Sequence, residues 1–338
     1  MPGSRPQASV GTGALRLTAF FQKPLKWGEC ETVQKRKLGR RMWSHRFYYL
    51  LVLPGLIYFL VFHYGAMYGL ILAFKDFSPM DKLAGIFTGK WVGFKHFSRL
   101  FGSYYFGNIL GNTLKISLLK LLYGFPAPIL LALLLNEVRQ EKFKKVVQTI
   151  SYLPHFLSMV VISGLLSMLL STDGGPINKL LILVGKNPIY FLGDPRYFVG
   201  VLVVSHVWQS VGWGSIIYLS AITGIDPQLY EAAMIDGAGR LRQVFHVTLP
   251  GIASVVSIML IMTVGGIMNA GFEQIFSLYS PVVYSVADII DTFVYREGIR
   301  ELNYSYATAV GMFKSVVAMI LVIATNFISH KLGQEGVW

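Results

Sequence analysis

The run FYYLLVLPGLIYFLVFHYGAMYGLILAF, Phe47–Phe74, holds 28 residues without one Asp, Glu, Lys or Arg. About 20 consecutive apolar residues are enough to cross the hydrocarbon core of a bilayer. The run is too long for a signal-peptide core of roughly 7 to 15 residues, and no small-residue cleavage site follows it. It predicts a retained spanning helix and makes the bilayer the solvent of the fold.

Five further candidate spans lie downstream. They cover about 110–135, interrupted by Lys115 and Lys120, then about 149–170, 197–221, 252–270 and 307–328, the last with Lys314 inside it. The expected fold class is an all-α integral membrane protein with six transmembrane helices. Around them the chain divides into a basic tail over 1–46, a first span with a cap loop outside the membrane over 47–109, a core over 110–328 and a C-terminus over 329–338. The cap is predicted from Pro79, Gly85, Gly89 and Gly93 and the aromatic residues between Trp91 and Phe97.

Composition agrees. Of 338 residues 54% are hydrophobic and 14% charged, with a mean hydropathy of +0.53, whereas soluble proteins carry about 25% charged residues. This excludes an ordinary cytosolic enzyme and a disordered chain, and the single Cys30 excludes a disulfide scaffold and a cysteine zinc site. Thirty basic against seventeen acidic residues give a net charge of +13. The tail, the loops 136–148 and 222–251 and the C-terminus hold seventeen of the basic residues, and the opposite loops hold ten. By the positive-inside rule both termini are expected in the cytoplasm, so the charge orients the chain and calls for no nucleic acid.

The most informative loop is DPQLYEAAMIDGAGRLRQVFHVTLP, Asp226–Pro250. Asp226 before Pro227 starts a helix, because the carboxylate can cap free N–H groups and proline suits the first helical position. Gly237 is a natural stop. A second short helix fits about Gly239 to Thr248, with Leu241, Val244, Phe245 and Leu249 at helical spacing. Ala232 and Ala233 let another surface approach closely, and Glu231 and Asp236 offer charge. An interfacial helix resting on lipid would favour Lys and Arg on its polar face, and only Arg240 and Arg242 fit that alternative. The pattern favours a docking plug.

Glu231-Ala232-Ala233, Gly237, Val247 and Leu249-Pro250, at this spacing, closely resemble the EAA loop of binding-protein-dependent ATP-binding cassette importer permeases. Val247 stands where that family usually has Ile. Asn112-Thr113-Leu114, the run from Gly124-Phe125-Pro126 to Leu135-Asn136-Glu137, and Tyr152-Leu153-Pro154-His155-Phe156 are similar to the polysaccharide-type sugar permeases of the maltose-type carbohydrate uptake group. The resemblance runs from about Arg40 to the end. It implies a type I importer permease fold in a bacterial cytoplasmic membrane, half of a permease pair whose second chain usually differs. It also implies two cytoplasmic ATPase subunits, an extracytoplasmic solute-binding protein and an oligosaccharide substrate, acidic units included among the candidates. Glu231, Ala232, Ala233, Asp236, Gly237, Leu249 and Pro250 would couple to the ATPase. On this reading the chain has no catalytic residue, metal or cofactor of its own, and ATP and magnesium belong to the partner ATPases.

A sugar pathway needs aromatic faces for pyranose rings and amides or carboxylates for hydroxyls. The candidates are Lys120, Trp208, Gln209, Trp213, Asn269 and Glu273, with Gln274 beside them. Lys115 and Lys314 read at least as readily as snorkelling residues, or as residues packed against the partner permease, as they do as functional ones, and His63 and His206 read as histidines satisfied by a neighbouring helix. Gly65 to Gly69 and Gly107 to Gly111 have the spacing of helix-packing glycines. Gly271 to Asn303, with five acidic residues, is expected to line the outer mouth. Two other classes remain open. A membrane-embedded polysaccharide or lipid transferase would need a carboxylate or His constellation at one membrane face, and an ion-driven secondary transporter would need coupling residues within its spans.

Overall fold

The computed structural model describes residues 45–331 together with Trp43 and Gly333; most of the basic tail, Cys30 and the far C-terminus lie outside them. Among the described residues five helical runs are long and apolar enough to cross a bilayer: Arg46–Phe74, Tyr104–Glu137, Pro195–Thr223, Ala253–Leu278 and Tyr304–Lys331. These are the first, second, fourth, fifth and sixth expected spans. The third departs from the expected continuous helix over 149–170. Glu141–Phe156 and Met159–Leu169 meet at 103°. Pro154 has no N–H to give, the chain turns extended at Leu157 and Ser158, and the Ser158 hydroxyl starts the next helix by accepting from the Val161 N–H at 3.3 Å.

The chain divides into two compact units between Met67 and Tyr68. In the first, an α-helix over Arg46–Tyr58 passes into a π-helical stretch, Phe59–Tyr64, and one more turn, and none of their side chains is buried. A helix apolar all round with no covered face is a membrane span.

The second unit opens with the cap. A two-residue antiparallel ladder pairs Lys75 with Trp91 and Asp76 with Lys90. The Lys75 ammonium donates to the Ile86 and Phe87 carbonyls at 2.9 Å. Phe74 packs against Trp91, Phe94 and Phe97 with ring centroids 5.5 to 5.7 Å away. Lys95 donates to the Asp76 carboxylate at 2.6 Å, and that hydrogen bond holds the Asp76 carboxyl below its ordinary pKa.

Apolar helices in lipid gain little hydrophobic drive from meeting each other, so close packing and hydrogen bonds decide their arrangement. Ile116, Phe198, Leu202, Ile275 and Ile289 make one buried cluster; Ala132, Tyr218, Ile222 and Ile252 make another at the end nearer the Asp226–Pro250 loop. A polar row, Asn112, Thr113, Ser117 and Lys120, follows one face of the second span at helical spacing. Asn112 donates to the carbonyls of Ser285 and Asp288 at 3.1 and 3.2 Å, and Thr113 accepts from the Ile290 N–H at 2.9 Å. Nearby, the buried Asp288 carboxylate accepts from Thr292 at 2.7 Å and from Arg296 at 2.6 Å. Asn112-Thr113 therefore pins the loop that follows the fifth span.

The same row serves a break within the fifth span. Its helix Ala253–Gly265 gives way to a short 3-10 turn, then Ala270 and Gly271 take left-handed φ of 48° and 83° before Phe272–Leu278. Carbonyls freed by that break need donors. Ser117 donates to Ile267 and Lys120 to Ala270. Replacing Asn112 with Leu leaves two carbonyls without their donor and is expected to cost about 1–3 kcal/mol, read as a lower melting temperature of the purified protein.

The glycine pairs singled out by spacing do not pack helices within this chain: a Cβ at Gly69, Gly107 or Gly111 would meet nothing within 4 Å. Close approach occurs instead at Gly212, where a Cβ would run into the Ser151 backbone, and at Gly214, against Pro128.

Candidate functional site

A cavity of about 1130 Å³ lies among the last three spans, the second span and the segment after the fifth. Its walls include Lys120, Gln209, Asn269 and Glu273, four of the six residues expected to line a pathway. They reach it because both helix breaks open towards it. Gln209 donates to the Leu157 carbonyl at the break of the third span, at 3.4 Å. Asn269 sits in the break of the fifth span, and Glu273, exposed, follows two residues after Gly271.

Lys120 is almost fully buried. Its ammonium donates to the Ala270 carbonyl at 2.9 Å and to Gln274 Oε1 at 2.6 Å. The Gln274 amide passes the connection on, donating to the Leu202 carbonyl at 3.0 Å and to the Ser205 hydroxyl at 2.7 Å. One side chain thus ties the second, fourth and fifth spans together. Lys314 proves to be neither a snorkelling nor a merely packing residue. It lines the cavity and donates to Asn269 at 2.8 Å and to both Asp291 oxygens at 2.6 and 2.8 Å.

A second cavity, about 410 Å³, contains Trp213, His155, Ser210, Tyr218, Met259 and Met262. Trp213 lies flat on the His155 ring, centroids 4.7 Å apart and planes at 1°, and meets Phe156 edge-on. That leaves less of its face for a sugar than expected. Trp208 is apart from both cavities: it borders apolar grooves with Leu165, Leu166, Gly200 and Val204. His206 lines both cavities, its ring against Gly124, and Lys115 is exposed on the far face of its helix.

Asp291 and Tyr295 line the large cavity without having been anticipated. The acidic residues of Gly271–Asn303 were the available signal, but nothing local distinguishes Asp291, which meets Lys314, from Asp288, which meets Arg296. Burial withdraws the Arg296 guanidinium from water; the hydrogen bond and charge of Asp288, with Tyr284 and Tyr279, outweigh this and raise its pKa.

The Asp226–Pro250 loop forms as its residues predict. The Asp226 carboxylate accepts from the Gln228 N–H at 2.9 Å and Pro227–Ile235 is helical. Gly237 has φ of 72°, its N–H donates to Met234 at 3.0 Å, and the Ala238 N–H donates to Ala233 at 2.9 Å, which together make a Schellman stop. Arg240–Gln243 continues through a π-helical stretch, Val244–Thr248, rather than a regular helix, into Leu249–Gly251. The hydroxyls of Tyr230 and Thr248 share a hydrogen bond of 3.0 Å that clasps the two arms. Glu231, Ala232, Asp236, Gly237 and Pro250 are exposed, while Ala233 and Leu249 are half-buried. Ile235, Leu241 and Phe245 present 87%, 76% and 63% of their surface.

Residues 124–334 match the family described as "Binding-protein-dependent transport system inner membrane component". The chain is 46% identical over 305 residues to the polygalacturonan/rhamnogalacturonan transport system permease protein YteP of Bacillus subtilis (strain 168), covering 90% of this chain and 94% of that protein. It is 45% identical over 290 residues to Protein LplB of the same organism, covering 86% and 90%. Among solved structures it is similar to a chain of a bacterial alginate ABC transporter in complex with alginate pentasaccharide-bound periplasmic protein. That similarity has a TM-score of 0.81 and 40% identity, over 89% of this chain and 100% of the other.

Proposed function

The chain belongs to the family of binding-protein-dependent transport system inner membrane components, and from that premise we propose that it forms half of the translocation pathway of an ATP-driven importer for an acidic oligosaccharide. The family and fold expected from the loop motif are thereby established: this is a multi-pass membrane permease with the type I importer fold. The observation that carries the finer reading is the large cavity, walled by ammoniums, amides and carboxylates where two spans break. Discontinuous spans meeting at a polar cavity are a recurrent plan for solute sites in transporters. A relative transports polygalacturonan and the transporter of the similar structure imports alginate, both polymers of sugar acids.

In this reading a second permease completes the pathway, a solute-binding protein delivers the sugar from outside, and two separate ATPase subunits use ATP and magnesium. The Asp226–Pro250 loop docks in an ATPase cleft with both termini on the same, cytoplasmic side. The exposed apolar side chains Ile235, Leu241 and Phe245 suit a protein cleft, and the Schellman stop holds the loop stiff enough to be pulled. ATP closure of the ATPases then moves the loop, and the helices rock so that the cavity changes sides. The test is reconstitution of the complete importer in liposomes. Binding protein loaded with an oligogalacturonide should raise ATP hydrolysis several-fold; no response to any acidic or neutral oligosaccharide would sink the saccharide reading.

A further inference from the structure

We propose that Lys120 is the specificity-determining cation of the pathway, standing at the neck between the two cavities and favouring passage of sugar units that bear a carboxylate. This rests on the reading of the chain as a saccharide permease.

Position comes first. Lys120, His206 and Gly271 line both cavities. The larger takes Asp291 and Tyr295 from the segment after the fifth span and Tyr304 from the sixth; the smaller takes Ser210, Gly214 and Tyr218 from the fourth span and Met259 and Met262 from the fifth. Those residues lie progressively closer along the chain to the Asp226–Pro250 loop. A solute moving from the large cavity to the small one therefore passes the ammonium.

Charge comes second. The Lys314 charge is matched by Asp291 at 2.6 Å. Lys120 has neutral acceptors, Ala270 and Gln274, and among the described residues no carboxylate at ion-pair distance. Holding up a broken helix does not require a charge: Ser117 serves the neighbouring carbonyl, Ile267, with a hydroxyl. A lysine within a span carries an energetic penalty that such a role leaves unexplained. An ammonium has three donors, and two are used here. The third is available to a ligand oxygen.

Shape comes third. Gly271 has φ of 83°, and a Cβ there would overlap the Lys120 Nζ. The backbone turn has no side chain where the ammonium needs room. Glu273 is exposed in the large cavity and absent from the walls of the small one, so it bonds hydroxyls and turns a carboxylate away from itself. Together the two groups orient an acidic sugar with its carboxylate towards the neck.

The test uses the complete importer in liposomes with an unaltered binding protein. Uptake of trigalacturonate and of neutral galactotriose is compared for the unaltered permease, Lys120→Met and Lys120→Arg. Because the binding protein is the same throughout, a change in the acid-to-neutral ratio belongs to the permease. Lys120→Met should lower that ratio by about tenfold or more, the scale of losing a buried charge partner, and Lys120→Arg should keep it. A ratio unchanged in Lys120→Met, whether both uptakes persist or both fall together, would overturn this proposal alone. Uptake of neither sugar by the unaltered importer would overturn the saccharide reading and this proposal with it.

Discussion

Gly237→Pro is expected to reduce ATP-driven uptake to background while leaving the spans folded. Gly237 stands at φ of 72°, and proline is locked near −65°. The substitution also deletes the N–H that donates to Met234 and restricts Asp236, which sits at φ of −73° and ψ of 5°, a conformation disfavoured before proline. The stop of Pro227–Ile235 is lost in three ways at once. Yet a Cβ at Gly237 would meet nothing within 4 Å, so the damage stays within the loop. Gly237→Ala keeps the N–H, costs about 1–2 kcal/mol for the left-handed backbone, and should retain partial uptake. Ala233→Trp, on the same helix, should also abolish uptake by blocking close approach of the ATPase. The measurements are uptake and binding-protein-stimulated ATP hydrolysis, with the melting temperature of the permease as the folding control. Normal uptake by Gly237→Pro would show that the loop does not couple.

The second large effect concerns assembly of the spans. At Gly212 the fourth span lies backbone to backbone against Ser151, and two residues on, a Cβ at Gly214 would be 2.9 Å from the Pro128 ring. The Ser151 carbonyl is held within its helix and cannot yield. Gly212→Val should therefore separate the third span from the fourth, at about 3 kcal/mol or more. The expected readout is loss of the monodisperse peak on size exclusion or a steep fall in melting temperature, with Gly212→Ala intermediate. Gly200→Ala in the same helix, where a Cβ meets nothing within 4 Å, is the control. Equal stability of Gly212→Val and the parent would contradict the packing described.

The spans and the loop were legible in the sequence because each depends on local chemistry: uncharged runs set the spans, and Asp226, Pro227 and Gly237 set the ends of a helix. The third span was not, since the stretch from Val146 to Thr172 holds no Asp, Glu, Lys or Arg on either side of Pro154 and only the contacts around Leu157 and Trp213 reveal the bend. Lys120, Gln209 and Asn269 stand out as polar residues within spans and Glu273 as a carboxylate at the end of the fifth, and all four line the large cavity. The Lys314–Asp291 pair joins residues on separate elements, which no local pattern predicts. Trp208 and Trp213 could have been told apart: five residues at about 100° each put them roughly 140° apart around a helix, so one cavity could not easily receive both. Gln209 and Trp213, four apart, do share a face.

The second span joins two distant places. One stretch, Tyr104–Gly124, carries Lys120; the next, Pro126–Glu137, bears Ala132, packed with Ile252 and Leu249 at the foot of the Asp226–Pro250 loop, and ends at Glu137, 3.6 Å from Arg240. Pro126–Glu137 has twelve residues and is about 18 Å long, so a tilt of about 10° would move its far end by about 3 Å. Its near end, Pro126, is six residues from Lys120, fewer than two helical turns.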